Sequence, residues 1–147
     1  MTDCISGILR VKGGTIWSVA PDTTVFDAIA TMAERDIGAL LVMEGVKLVG
    51  ILSERDYARK IVLHGRASRD TTVREVMSDD PIVVAPEQTV DECMRIMTEN
   101  RVRHLPVVVD SQVVGVVSIG DLVNAIIQAQ AQTIEHLHTY IEGSYPK

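Results

Sequence analysis

Two copies of the pattern Gly-x-x-Ser-x-x-Asp carry the groups that could bind a phosphorylated sugar. One contains Gly50, Ile51, Ser53 and Asp56, and the other contains Gly115, Val116, Ser118 and Asp121. Each follows an apolar run and opens an amphipathic segment, which predicts a strand that ends where a helix begins. The free N–H groups of a helix N-terminus attract phosphate, and a first-turn hydroxyl can add a hydrogen bond. A carboxylate three residues later lies on the same side and suits the hydroxyls of a ribose.

The same residue types also have a purely structural use. Serine is a common N-cap, and an aspartate in the first turn interacts favourably with the helix dipole. One copy of the pattern alone would favour that structural interpretation. Two copies at matching positions favour a binding role, because asparagine or threonine would cap a helix as well.

An internal repeat positions both patterns. A shift of 65 positions aligns residues 16–62 with residues 81–127 without a gap, so that Ser53 falls on Ser118 and Asp56 on Asp121. Repeats of about fifty residues are marginal alone, so we expect the two copies to pack as one unit.

Each copy has the pattern strand, helix, strand, strand, helix. In the first copy the predicted strands are 16–19, 39–43 and 47–52, and the predicted helices are 25–35 and 53–63. In the second copy the predicted strands are 82–84, 105–109 and 113–117, and the predicted helices are 90–100 and a long one from 121. Residues 64–70 read as a loop, followed by a capping box and one helical turn at 72–75.

The duplicated arrangement resembles tandem cystathionine-β-synthase (CBS) domains of the small stand-alone bacterial type. Besides the two Gly-x-x-Ser-x-x-Asp patterns, each copy has Pro21 or Pro86 followed by an acidic residue before its first helix. The resemblance covers residues 8–127. It implies an α+β fold in which two pseudo-symmetric β-α-β-β-α repeats pack through their sheets as one module, with an extended C-terminal helix. We therefore divide the chain into a first repeat with its N-terminal segment (1–70), a second repeat (71–128) and a C-terminal helical extension (129–147).

The resemblance also implies a function and a set of binding residues. Its members are non-catalytic regulatory modules that hold AMP, ADP, ATP, S-adenosylmethionine or NADH in two clefts. The hydroxyl touches phosphate and the aspartate holds the ribose, while residues before the second strand of each repeat form the adenine pocket. Carried onto this chain, the ligand-binding residues are Lys12, Gly38, Ala39, Ile51, Ser53, Arg55, Asp56, Arg103, His104, Pro106, Val116, Ser118 and Asp121. Lys12 and Arg55 would lie near phosphates.

The two copies differ in charge at these positions. Arg55 in the first corresponds to Gly120 in the second, and Gly38 and Ala39 correspond to Arg103 and His104. We therefore expect each site to have its own source of positive charge and the two sites to bind anionic nucleotides with unequal affinity. A charged His104 beside phosphate would add mild pH dependence. The alternatives are a solvated helix residue for Arg55, a glycine-rich loop residue for Lys12 and a neutral structural histidine for His104.

Composition excludes several other classes of function. A net charge of −6 and few aromatic residues argue against a general nucleic-acid or anionic-membrane surface. The two cysteines lie in unrelated contexts, no apolar run reaches the roughly 20 residues of a membrane span, and the N-terminus lacks a secretory pattern. No nucleophile–base pair or metal-ligand cluster is apparent. We expect a cytoplasmic protein that is not an enzyme.

The last helix continues past the repeat, to about Glu142. Its apolar residues Val123, Ile127, Ile134, Leu137 and Ile141 follow a heptad-type spacing. We expect this seam to form a homodimer, whereas the alternative is that the helix folds back on its own domain. The alternative function is a structural module that dimerises through this helix and has no physiological nucleotide. A regulated protein, if there is one, would be a separate chain.

Overall fold

The fold is α+β and consists of two similar halves. The computed structural model describes residues 3–141, and the side chains of residues 3–135. The helices are α1 (Ser6–Lys12), α2 (Val25–Arg35), α3 (Glu54–Asp56, continued by a π-helical segment Tyr57–Val62), α4 (Val73–Val76), α5 (Val90–Asn100) and α6 (Ile119–Ile141). The strands are β1 (Ser18–Val19), β2 (Ala39–Glu44), β3 (Lys47–Ser53), β4 (Ser78–Asp79), β5 (His104–Val109) and β6 (Gln112–Ser118).

The predicted hairpin of each repeat is confirmed, with the same register in both. Strands β2 and β3 pair antiparallel from Ala39 opposite Ser53, and β5 and β6 pair from His104 opposite Ser118. The register slips once in each hairpin, at positions that correspond in the repeat alignment. In both halves the pairing therefore places the serine before the second helix opposite the first residue of the hairpin.

The short first strands differ from the prediction. Strand β1 has only two residues, parallel to β2, and the predicted strand at 82–84 is reduced to a single bridge between Val84 and Val107. Strand β4 was not predicted and pairs with Gly50 and Ile51 at the edge of the first sheet. Strands this short carry too few residues for alternation to be visible in the sequence.

The segment that precedes each repeat packs against the other repeat. Ile5 lies in the core of the second half, with Val90 and Leu105, whereas Val73 and Val76 lie in the core of the first half. Although residues 71–77 precede the second repeat in sequence, their apolar side chains complete the first.

Helix α1 was not predicted, and it changes the place of Lys12. The N–H of Val90 donates to the carbonyl of Asp3, and the N–H of Val25 donates to the carbonyl of Thr71. Asp3 and Thr71 are therefore equivalent, and they are 68 positions apart rather than 65. The gapless alignment therefore missed the similarity of α1 to α4. Lys12, expected in a loop, ends α1 immediately before Gly13, whose φ of 91° stops the helix.

Among the described side chains of helix α6, those of its first turns pack on the second half. Leu122 is buried in that core, and Ala125 and Ile126 pack against it. Along the predicted seam the side chains of Val123, Ile127 and Ile134 are 40%, 56% and 66% exposed, so they do not fold back on the domain. The seam residues Leu137 and Ile141, and Glu142, lie outside the residues whose side chains the structure describes.

Candidate functional site

Both Gly-x-x-Ser-x-x-Asp patterns form helix caps at the end of a strand. Asp56 Oδ2 accepts hydrogen bonds from the N–H and the hydroxyl of Ser53, each at 3.0 Å, and the Asp56 N–H donates back to Ser53 Oγ at 3.2 Å. In the second half, Asp121 Oδ2 accepts from the Ser118 N–H at 2.9 Å, and the Asp121 N–H donates to Ser118 Oγ at 3.1 Å. The capping role of these residues is therefore present in both halves. It leaves Oδ1 of each carboxylate outside the cap.

The first residue of each capped helix is hydrogen-bonded to the residue that precedes the hairpin of the same repeat. The Glu54 N–H donates to the Gly38 carbonyl at 3.0 Å, and the Ile119 N–H donates to the Arg103 carbonyl at 2.8 Å. Gly38 and Arg103 are thus held next to a helix N-terminus in both halves. This contact, 16 residues apart in each case, places the predicted adenine-pocket residues beside the predicted phosphate site.

A cleft of about 980 Å³ lies between the two halves, and we call it the first cleft. Predicted site residues that line it are Gly38, Ile51, Ser53, Arg55, Asp56, Arg103, His104, Pro106 and Ser118. Both repeats line it, since Ile51 and the start of α3 come from the first repeat, whereas Pro106 and Ile119 come from the second. The first cleft is therefore a composite of both repeats.

This composite structure corrects the expected distribution of charge. Arg55 and Arg103 were assigned to separate sites, but both line the first cleft. The Arg55 guanidinium crosses from α3 and donates from Nη1 to the Arg101 carbonyl at 3.0 Å. Arg59, Lys60 and Arg101 add to this cationic wall, while the acidic residues on the cleft are Glu54, Asp56, Asp79 and Asp80. The sequence missed these additions because they lie outside the repeated pattern.

A second cleft, of about 540 Å³, is lined by the end of α1 and by residues of both repeats. Predicted site residues that line it are Lys12, Gly38, Ala39, Ile51, His104, Val116 and Ser118. Thr15 and Trp17 also line it and were not predicted. The repeat offers a signal for Trp17, because it corresponds to Ile82, which lines the first cleft.

Lys12, the cation of the second cleft, is paired with the aspartate of that site. Lys12 Nζ lies 2.6 Å from Asp121 Oδ2 and donates a further hydrogen bond to the Val116 carbonyl at 2.9 Å. Burial by itself raises the pKa of Asp121, but the hydrogen bonds from Lys12 and Ser118 outweigh it, and the pKa is lowered. Lys12 lines the second cleft and Asp121 does not.

His104 lies on the wall that the two clefts share, together with Gly38, Ile51 and Ser118. A Cβ atom on Gly38 would be 3.5 Å from the imidazole, an ordinary van der Waals distance, so Gly38 lies directly beside the ring. Burial lowers the pKa of His104, and the positive charge of Lys12 lowers it further. The ring is therefore held neutral at neutral pH, as the structural alternative for this residue required.

The described residues offer little for catalysis. Cys4 and Cys93 are both free, and burial raises the pKa of Cys93 to about 11, so its thiol is a poor nucleophile. Across the side chains of residues 3–135, His, Cys, Asp and Glu form no group suited to a metal ion. Every helix within residues 3–141 is too short or too polar to cross a membrane.

Comparison with known proteins agrees with this architecture. The model of the CBS domain matches residues 15–63 and 73–128. The chain belongs to the CBS-domain family. It is 40% identical over 151 residues to the mitochondrial CBS domain-containing protein CBSX3 of Arabidopsis thaliana, an alignment that covers 96% of this chain and 73% of the relative.

Solved CBS-domain structures have the same fold. A protein with CBS domains from Burkholderia ambifaria is 47% identical, with a TM-score of 0.84, over 87% of this chain and 96% of that one. The CBS domain pair of protein MJ0100, solved with 5′-methylthioadenosine and S-adenosyl-L-methionine, is 24% identical, with a TM-score of 0.75, over 84% of this chain and 99% of that one. At that identity the second likeness shows the shared fold.

Proposed function

We propose that this CBS-domain protein is a non-catalytic regulatory module that senses an adenine nucleotide such as AMP, ADP, ATP or NADH. The observation that carries the proposal is the composition of the first cleft. There the capped helix with Ser53 and Asp56, from one repeat, faces Arg101, Arg103 and His104 from the other. An anionic ligand with a diol fits this combination of groups.

Each part of a nucleotide has a complementary group in the first cleft. Asp56 uses Oδ2 for its cap, which leaves Oδ1 to accept hydrogen bonds from ribose hydroxyls; Lys60 Nζ lies 3.5 Å from that oxygen. The guanidinium groups of Arg55 and Arg59 provide planar, charge-assisted donors for phosphate. Ile51, Ile82 and Pro106 provide an apolar surface for the base. The base identity rests on the family and not on this geometry.

Ligand binding in the first cleft affects how the two repeats pack, because both repeats line the cleft. A ligand that contacts α3 of the first repeat and the Arg101–His104 turn of the second favours the arrangement in which both contacts form. Its binding free energy therefore biases how the two halves pack. A separate protein chain that recognises one arrangement would be the regulated partner, and we propose the cytoplasm as the compartment, which the two free cysteines support.

Thermal denaturation with AMP, ATP, NADH and S-adenosylmethionine tests the proposal. Ligands that bind the native state raise the melting temperature by mass action. We expect a shift with at least one of these ligands, and expect Asp56→Asn to remove most of it while an Asp22→Asn variant, altered in an exposed turn, retains it. If millimolar concentrations of all four ligands leave the melting temperature unchanged, the nucleotide proposal is wrong.

A second candidate function is assembly through α6. The exposed side chains of Val123, Ile127 and Ile134 leave an apolar stripe on a helix that extends past the second core. A stripe of this spacing matches a second copy of itself, so we propose a homodimer. This role is compatible with nucleotide binding, but it would stand alone if the clefts bind nothing.

A further inference from the structure

The second cleft differs from the first in how its ribose-binding aspartate is used. Asp56 lines the first cleft directly, and its nearest ammonium, Lys60 Nζ, is 3.5 Å from Oδ1. Asp121 is instead bonded to Lys12 Nζ at 2.6 Å, and it is Lys12 that lines the second cleft. The two sites of the repeat are therefore not equivalent before any ligand binds.

Lys12 reaches Asp121 from a separate element, 109 positions away in sequence. Helix α1 is held on the second half by Ile5, which is fully buried, and by Leu9, which packs beside Gly115. Gly13, with φ of 91°, ends α1 directly after Lys12. The ammonium is thus carried on an anchored helix end, and its hydrogen bond to the Val116 carbonyl fixes it at the mouth of the cleft.

We propose that Lys12 makes the second cleft selective for phosphorylated nucleosides over uncharged or cationic ones. A neutral diol that displaces Lys12 from Asp121 separates the ammonium from its counterion and loses the free energy of that ion pair. A ligand with a phosphate replaces the lost carboxylate and keeps Lys12 paired. The side chains of Lys12 and Asp121 are 40% and 24% exposed, so the pair is accessible enough to exchange partners. This inference rests on the proposed nucleotide function and assigns the ligand class of one cleft.

The other groups that line the second cleft include one acidic residue and one large aromatic ring. The acidic residue is Asp36, which ends α2 in a left-handed conformation. Trp17 provides a flat surface at the cleft, with the Arg35 guanidinium 4.2 Å from its ring centroid. A planar base against Trp17 and a phosphate at Lys12 would use both features.

Trp17 gives the test a specific signal, because it is the only tryptophan of the chain and lines only the second of the two clefts. We would titrate the full chain with AMP and with adenosine and follow Trp17 fluorescence. We expect AMP to bind about tenfold more tightly than adenosine, the scale of one charge-assisted contact. In Lys12→Met the two affinities should come within about twofold. Arg10→Met, the same change on an exposed position of α1, should keep the wild-type ratio.

The outcomes separate this inference from the proposed function. If Lys12→Met keeps the wild-type preference for AMP, the selective role of Lys12 is wrong even though the clefts bind nucleotide. If neither ligand alters Trp17 fluorescence, but calorimetry detects binding that Asp56→Asn removes, the second cleft is not a nucleotide site and only this inference fails. If no binding is detected by either method, both proposals are wrong. The melting temperature of Lys12→Met, followed by circular dichroism, verifies that the variant is folded.

Discussion

The Arg55 guanidinium donates a hydrogen bond to the carbonyl of Arg101 at 3.0 Å, across the cleft between the two repeats. Arg101 ends α5 in the left-handed conformation, with φ of 56°, and its carbonyl lies at the negative end of that helix. The contact joins the start of a helix in one half to the end of a helix in the other. It fixes an arginine at the position where the proposed phosphate would bind.

We predict that Arg55→Ala weakens binding of AMP or ATP by about tenfold, because a charge-assisted phosphate contact is lost. The bond to Arg101 is exposed, so the melting temperature without ligand should change little. Isothermal titration calorimetry measures the affinity. Arg95→Ala, on an exposed position of α5 away from both clefts, is the matched control. Equal losses in the two variants would show a general electrostatic effect and not a phosphate contact.

His104 predicts a pH dependence of stability. Burial and the nearby charge of Lys12 lower the pKa of His104 below its ordinary value of 6.5, although Asp121 opposes this. The unfolded chain then binds more protons than the native state, so the contribution is present above pH 6.5 and is lost as the pH falls through the folded-state pKa. Urea denaturation should show a smaller free energy of unfolding at about pH 5.5 than at about pH 7.5.

A pair of histidine variants isolates this effect. His104→Gln should lose less free energy of unfolding between the two pH values than the wild type does. His64→Gln alters an exposed histidine and should retain the wild-type pH dependence. An identical pH dependence in His104→Gln and wild type would exclude His104 as the titrating group.

Gly50 and Gly115 occupy equivalent positions in the two repeats. They test how the segment that precedes each repeat packs on the other repeat. A Cβ on Gly50 would lie 2.5 Å from Met77 Sδ and 3.0 Å from the Ser78 carbonyl oxygen, and a Cβ on Gly115 would lie 2.7 Å from Leu9 Cδ2. We predict that Gly50→Ala lowers the free energy of unfolding by about 1–3 kcal/mol, as overpacking does. Gly115→Ala should cost less, because the end of a leucine side chain can move.

Gly7→Ala is the control for these substitutions. Its Cβ would approach nothing closer than Arg10 Nη2 at 4.0 Å, and it lies within α1. Alanine there should stabilise the protein by about 0.5–1 kcal/mol because it favours the helix. Chemical denaturation measures all three variants. A Gly50→Ala protein as stable as the wild type would contradict the close packing of residues 77–78 on the first repeat.

The apolar stripe of α6 predicts the oligomeric state. If it binds a second copy, Ile127→Glu combined with Ile134→Glu should halve the mass measured by light scattering, because each places a charge in an apolar seam. Gln132→Glu, on an exposed position of the same helix outside the seam, should leave the mass unchanged. A wild-type mass equal to one chain, or a double variant that keeps the wild-type mass, would exclude this dimer.

Local patterns in the sequence determined the two hairpins, the two core helices α2 and α5, and the residues of the two caps. The serine and aspartate of each cap are three residues apart, the hairpins connect neighbouring strands, and each core helix shows its apolar periodicity, so all of these depend on short-range contacts. The repeat then predicted which of them occur twice. These features are readable because hydrogen bonds between near neighbours leave a fixed spacing in the sequence.

The tertiary structure decided which residues share a cleft. Arg55 and Arg103 line the same cleft because the start of α3 in the first repeat faces the turn after α5 in the second, whereas the repeat alignment assigned them to different sites. Lys12 reaches Asp121 because α1 completes the core of the second repeat. Such contacts depend on how two apolar cores bury their faces against each other. That burial is non-directional and leaves no fixed spacing in the sequence.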